Sequence, residues 1–385
     1  MVKNGQEAIR NTLSVEYDFC KGNWDIYIAF FEKAFNLLNK KGILAYITPD
    51  KWTSKPFGYE LRKGLFQNFY RITECGRNIF ESANVDAIIT FITKSLKKEV
   101  LIDIFAPKNV INLSIISKKI IKEPYSLDWL FSKNINIINK IDSCIKVFSN
   151  YWICENACAT SDAYKIKSYI SDTKYDSSRL KIINTGTIGR FISKWGEKTM
   201  TYLKDKYQTP TVNKEEFCLN FKNSYGIKSC RPKIIIKGLT LLDACIDKEG
   251  IIIPGKSTLV ITSDIAKELF FPLALVNSKF SIFYITEKYR GSSYNQGINF
   301  NPEMINNLPI PSIKKDILSP FITLVTQILK AKEKDSNFDT IDLENQIDIL
   351  VYKLYDLTYE EVKVIDPNIE SIISKEEYEI KDKQS

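Results

Sequence analysis

Two short stretches carry residues whose types and spacing could do chemistry. In "NIFESANVDAIITFITKS", residues 78–95, Ser82, Ala83 and Asn84 form a turn that launches an apolar, strand-like run from Val85 to Ile92. Phe80 precedes that turn, where chain normally lies at the surface. A large aromatic there either plugs the end of a core or offers its face to something flat. In the second stretch, Thr48, Pro49, Asp50, Lys51 and Trp52 end an apolar strand, "ILAYITPD". The carboxyl end of a strand in an open α/β sheet is where ligands bind, so Pro49, Asp50 and Trp52 are candidate rim residues. A tryptophan in such a place is more often core than ligand.

The chain of 385 residues contains no histidine. This excludes the Ser-His-Asp triad, the Cys-His dyad, His-ligated metals and a histidine proton shuttle. Eight cysteines are scattered singly, apart from a Cys154-x-x-x-Cys158 pair with no second pair at zinc-finger spacing. No metal site is expected. The net charge is +8, and between Lys181 and Thr240 there are 12 basic and 4 acidic residues, a surplus as large as that of the whole chain. Such a window points to a polyanion or to a solvated basic face. Within it Arg190, Lys194, Arg231, Lys233 and Lys237 are candidate contacts. "YRGSSYNQGINF", residues 289–300, adds Arg290, Tyr294 and Asn295 in a polar, aromatic segment suited to a groove-entering loop or a plain surface loop.

The elements that must position these residues change character along the chain. "WDIYIAFFEKAFNLLN" places Ile28, Phe31, Phe35 and Leu38 at helical spacing, and Gly42 stops that helix. The continuous apolar "ILAYITPD" predicts a strand inside a parallel sheet. A helix over 59–70 and strands at "RITECG" and "VDAIITFI" complete a layered α/β unit with a mostly parallel sheet. A helical connector is expected over 106–149. Short strands, glycine turns and aromatics then predict a mixed α+β, strand-rich domain over 150–312, followed by a helical tail over 313–385 that frays where Lys and Glu dominate. The start is polar, and no run approaches the ~20 apolar residues of a membrane span. No membrane association is expected, and the location is read as cytoplasmic.

"KGNWDIYIAFFEKAFNLLNKKGILAYITPDKW", "LRKGLFQNF" and "IFESANVDAIITFITKS" occur in the order found in amino-methyltransferases of type IIG restriction–modification systems. They also resemble TaqI-like adenine methyltransferases. The resemblance covers residues 1–95, and more weakly 150–312, where "INTGTIGRFISKWG", "CRPKIIIKG" and "INNLPIP" resemble the family's target recognition domain. It implies that residues 1–105 are the C-terminal portion of a Rossmann-like catalytic domain and 150–312 the DNA-reading part. It implies methyl transfer from S-adenosylmethionine to adenine N6 in a complete enzyme, and duplex DNA as partner.

Two family features are missing from these residues. There is no glycine-rich cofactor turn, and no Asn-Pro-Pro-Tyr loop; the one Asn301-Pro302 is followed by Glu303 and Met304. In the family that loop accepts the two hydrogens of the adenine amine and steers its lone pair to the methyl group, with the base flipped out of the duplex. The chain therefore reads as the family without its front. No catalytic residue is assigned, Phe80 takes the place of the aromatic that stacks on the flipped base, and the chain alone is expected to be inactive and to bind no cofactor. Half of a split methyltransferase, with an upstream partner half, and a specificity subunit without activity are the alternatives.

Overall fold

The computed structural model describes residues 7–76, 79–80, 85–106, 109–121, 123, 125–290, 293–294, 297–313 and 315–380. The chain divides into two compact units, one of residues 1–139 with 287–291, the other of 140–286 with 292–385.

The first unit is built on a five-stranded sheet. Helix α1 (Glu7–Glu16) precedes α2 (Tyr27–Leu37), which buries Ile28, Ala29, Phe31 and Glu32. The Glu32 carboxylate accepts from the backbone N–H groups of Asp18 and Phe19, fixing the approach to α2. Strand β1 (Ile43–Pro49) follows, then α3 (Tyr59–Leu65), β2 (Phe69–Gly76), β3 (Ala87–Thr93), β4 (Glu99–Ala106) and β5 (Asn109–Ser117). The spatial order is β1-β3-β2-β4-β5. Only β2 and β4 pair in parallel; β3 runs antiparallel to both β1 and β2, and β5 antiparallel to β4.

The expectation of a mostly parallel sheet is thus corrected. β1 and β2 point the same way, as a strand–helix–strand unit requires, but β3 inserts between them. An apolar run cannot reveal this, because β1 alternates: Leu44 and Thr48 are buried, whereas Ile43, Ala45 and Ile47 are exposed along an edge. The expected helical connector is corrected too. Residues 109–117 extend the sheet as β5, and the helix Ile135–Asp142 is the only α-helix among the described residues of 106–149.

The second unit is strand-rich, as expected for 150–312. Four strands, Ala244–Asp247, Lys233–Lys237, Thr258–Thr262 and Cys154–Asn156, form an antiparallel sheet. A second sheet orders Ile252–Pro254, Arg179–Ile183, Pro210–Asn213 and Ser171–Asp172. Ile182, Tyr202, Val212, Phe217 and Tyr225 pack one core; Ile183, Ile188, Ile235 and Val260 pack another. The tail is helical, with Lys315–Lys334, Ile341–Leu354, Tyr359–Ile365 and Lys375–Ile380. It does not fray within the described residues, because Tyr378 is buried against Tyr359 and donates its hydroxyl proton to Leu357 O. No single described helix is long and apolar enough to cross a membrane.

Candidate functional site

In the first unit the candidate residues gather at one end of the sheet. β1 ends at Pro49 opposite Ala87, where β3 begins, and β2 reaches its end with Glu74 opposite Ile88 and Gly76 opposite Ala87. The Asp50 N–H donates to Asp86 O at 3.0 Å and closes that end. Three carboxylates, Asp50, Glu74 and Asp86, therefore share one rim. Burial pushes the Asp50 carboxyl above the usual range; Lys51 opposes the shift and Asp86 adds to it. Burial also raises Glu74, against Arg290, with Asp50 and Asp86 adding. Asp50 Oδ1 is shielded from solvent and accepts no hydrogen bond among the described residues, the Lys51 ammonium standing 3.6 Å away.

Pro49 and Asp50 are half-buried at this rim, as expected, but Trp52 is not on it. The short 3₁₀ turn Asp50–Thr53 folds the indole back over the inner face of β1. There it is fully enclosed, with its ring 5.5 Å from Phe31 and 5.6 Å from Phe69, and Nε1 donates to Thr48 Oγ1 at 3.1 Å. The buried Arg62 guanidinium donates to Trp52 O and Lys55 O, which locks the turn. Gly58 lies so close that a Cβ there would stand 2.1 Å from Trp52 O. Trp52 is a core residue. Phe80 is half-buried, and residues 77–78 and 81–84 beside it lie outside the described residues.

In the second unit most of the expected DNA-facing cations are already paired. Lys233 is fully buried and donates to Asp247 Oδ2 at 2.5 Å, Ser229 O at 2.7 Å and Arg231 O at 3.1 Å. Burial lowers its ammonium pKa, against Asp247. Asp247 in turn accepts from the N–H groups of Gly250, Ile251 and Ile252. This is a structural ion pair, and the assignment of Lys233 to DNA contact is corrected. Lys237 is tied to Asp243 at 2.5 Å, Arg190 to Glu344 at 2.6 Å and Arg231 to Asp264 at 2.9 Å. Arg190 is presented by a rigid turn: Phe191 beside it is buried at φ +68°, its N–H donating to Ala244 O and its carbonyl accepting from Ile246.

Lys194 is half-exposed and makes no ion pair among the described residues. Arg290 is exposed and belongs to the first unit, where its charge acts on Glu74. Tyr294 pairs through its backbone with Gly297, whereas Asn295 lies outside the described residues.

Sequence reasoning missed the group around Lys181. Its ammonium sits 4.6 Å from the Tyr175 ring centre and 4.9 Å from that of Trp195, and forms no ion pair among the described residues. Trp195 Nε1 donates to Pro210 O at 2.7 Å, and the two rings stand edge to face 6.3 Å apart. All three side chains remain partly exposed. They come from three separate segments, and only the alternation of "RLKII", which turns Lys181 away from the core, hinted at them. Among the described residues no group of three His, Cys, Asp or Glu side chains could hold a metal.

Residues 2–97 match the family described as Eco57I restriction-modification methylase. No curated protein matches the chain in sequence. Solved structures resemble it at low identity. The type IIL restriction-modification enzyme MmeI in complex with DNA is 12% identical, with 98% of this chain and 55% of that one covered, at a TM-score of 0.48. The type IIG restriction endonuclease BpuSI is 10% identical over 87% and 50%, at 0.34. A nuclease-deletion mutant of the type ISP enzyme LlaGI is 11% identical over 86% and 33%, at 0.41. The chain spans about half the length of the first two. The matched residues 2–97, which hold β1, β2, β3 and the carboxylate rim, are similar to that restriction-modification methylase family.

Proposed function

We propose that the chain is part of a site-specific DNA adenine-N6 methyltransferase of a type IIG restriction–modification system, and that its second unit binds duplex DNA and reads the target. The observation that carries the first half is the methylase match over residues 2–97, which takes in β1, β2 and β3, the connection that bears Phe80, and the carboxylate rim. In this reading Phe80 stacks on the extruded base, a contact worth about 1–3 kcal/mol. Asp50 Oδ1 stands at the same sheet end and accepts no hydrogen bond among the described residues.

S-adenosylmethionine is the methyl donor of the complete enzyme in this reading, but the described residues do not fit it. β1 is followed by Asp50-Lys51-Trp52-Thr53, whose tryptophan is driven into the core, and not by a glycine-rich turn. These 385 residues alone are therefore expected neither to bind it nor to transfer a methyl group. The split-enzyme reading is favoured by one observation. Among the described residues nothing pairs with the outer edge of β1, which carries exposed Ile43, Ala45 and Ile47 and which a further polypeptide could cover.

DNA binding by the second unit rests on the Lys181 group. A cation set between two aromatic faces, with no ion pair among the described residues, is placed to meet a phosphate, while partly exposed rings offer stacking or groove contact. The test is a titration of the full chain with mixed-sequence duplex over a range of salt. Replacing Lys181 and Lys194 with Ala together should weaken binding and flatten the slope of log K against log salt by about 0.9 for each phosphate no longer neutralised. Replacing Arg231 alone should change it little. An unchanged isotherm for the double variant places the DNA surface elsewhere, and a wild type that binds no duplex refutes the reading itself.

A further inference from the structure

Arg190 stands at the tip of a tight hairpin. Ile188 pairs with Ser193, and the Gly189 N–H donates to Ile192 O at 3.1 Å across the turn. Phe191, the other tip residue, is buried in the left-handed region, which a bulky residue adopts only at a cost. The fold keeps it there by pairing it with Cys245 in the strand Ala244–Asp247. Backbone strain of this kind collects where a side chain has to be aimed at a ligand.

The group that holds the Arg190 side chain comes from the helical tail. Glu344, in the helix Ile341–Leu354, accepts from Arg190 Nε at 2.6 Å on one carboxylate oxygen and from the Thr340 hydroxyl at 2.7 Å on the other. Thr340 is buried and Glu344 nearly so. The helix is anchored four residues on, where Asp348 accepts from the Lys279 N–H at 2.9 Å, and Ile347, Val351 and Tyr352 form its buried face. The carboxylate engages one edge of the guanidinium and leaves the other. The two terminal NH2 groups of Arg190 make no hydrogen bond among the described residues, and its side chain is 37% exposed, against 11% for Glu344. A carboxylate that served only to clamp the tail would gain from two parallel N–H bonds. This one takes Nε alone, which fixes the guanidinium and keeps its terminal fork for another partner.

We infer that Arg190 reads a guanine of the target and that Glu344 is the positioning residue that holds it for this. The inference rests on the reading that the second unit binds duplex DNA. Two parallel donors match two adjacent acceptors, which on a duplex are guanine O6 and N7 in the major groove or two oxygens of one phosphate. The pairing favours guanine. With Glu344 beside it Arg190 brings no net charge to a phosphate, whereas its terminal donors still fit a base edge. Lys181 and Lys194 then supply affinity, and Arg190 supplies choice.

The test is selection of a site from a random-sequence duplex library by the full-length chain, followed by competition of that site with its single base-pair variants. At one position guanine should be preferred by about 5- to 150-fold, the span of a bidentate contact. Arg190→Ala should level the preference at that position alone and leave the slope of log K against log salt as in wild type. Glu344→Ala should lower the same preference severalfold, and Glu344→Gln, which can still accept from Nε, should retain more of it. Asp348→Asn, in the same helix, should match wild type, and circular dichroism confirms that each variant folds. Preferences unmoved by Arg190→Ala would overturn the inference, as would a Glu344→Ala variant that weakens every position alike, the mark of a purely structural pair. A slope shallower by about 0.9 in Arg190→Ala, with every preference intact, would assign Arg190 to a phosphate and overturn it too. A wild type that binds no duplex would overturn the DNA reading together with it, an outcome distinct from the others.

Discussion

Lys233 separates the electrostatic reading of the sequence from the packing seen in the structure. Its ammonium is enclosed with the Asp247 carboxylate and also serves two backbone carbonyls. Replacing Lys233 with Ala strands a buried anion and leaves Ser229 O and Arg231 O without their donor. Breaking a buried ion pair from one side costs about 3–5 kcal/mol, a large part of the ~5–15 kcal/mol that holds a domain folded. The natural assay is native-state amide exchange of the strand Lys233–Lys237, whose protection reports opening of the second unit by itself. Since ~1.4 kcal/mol is a factor of ten in an equilibrium constant, exchange there should accelerate roughly 100- to several-thousand-fold. Lys233→Met should be nearly as harmful, because the stem is kept but the charge is not. Pairing it with Asp247→Asn should recover part of the loss, as a positive coupling in a double-mutant cycle. The reasoning fails if Lys233→Ala leaves exchange within about tenfold of wild type, and fails doubly if the variant also shows a DNA salt slope shallower by about 0.9.

Two further outcomes follow from burial and from exposure. Burial pushes the Asp348 carboxyl up to about 6, against the Lys279 N–H and ammonium and Arg190, with Asp366 adding to the rise. The folded unit therefore holds a proton that the unfolded chain releases near about pH 4. This contribution to stability is complete below the ordinary carboxylate range and is lost as pH rises through about 6, by at most about 3 kcal/mol. Urea melts at about pH 4.5 and about pH 7, toward either side of that window, should show Asp348→Asn gaining on wild type at the higher pH; a constant difference refutes the shift. At the outer edge of the sheet, Ile43 and Ile47 are 63% and 42% exposed on β1. Light scattering should show concentration-dependent association of wild type that Ile43→Lys with Ile47→Lys abolishes; a wild type monomeric at all concentrations would show that the edge does not associate.

What was legible in the sequence was local. The period of Ile28, Phe31 and Phe35 gives α2 within three residues at each end, and the apolar runs at 43–49 and 87–93 are strands. Direction and face were not legible. An apolar run has the same composition whether its neighbour is parallel or antiparallel, so the insertion of β3 between β1 and β2 left no mark. Trp52 illustrates the same limit at a site. Its place just after a strand end fits a ligand rim, but the 3₁₀ turn and Arg62 rotate it into the core, and both depend on tertiary contacts. The group of Lys181 with Tyr175 and Trp195 is created by folding alone.

A surplus of charge in a window of sequence need not survive in space, for a reason that is general. Counting from Lys181 to Thr240 gives a large positive surplus, and of its five candidate contacts four, all but Lys194, are paired in the fold. Each finds a carboxylate beyond the window's end: Arg190 at Glu344, Arg231 at Asp264, Lys233 at Asp247 and Lys237 at Asp243. A strand pair or a helical tail brings the acid back, so local surplus in sequence becomes local neutrality in space. Lys181 differs in degree: Asp247 and Glu249 act on it from a distance, but it makes no ion pair among the described residues and its ammonium lies against two rings. The useful question for a charge-rich segment is therefore which of its cations the fold leaves without an anion. In the second unit that question points away from the strand Lys233–Lys237 and toward the aromatic cradle of Tyr175 and Trp195.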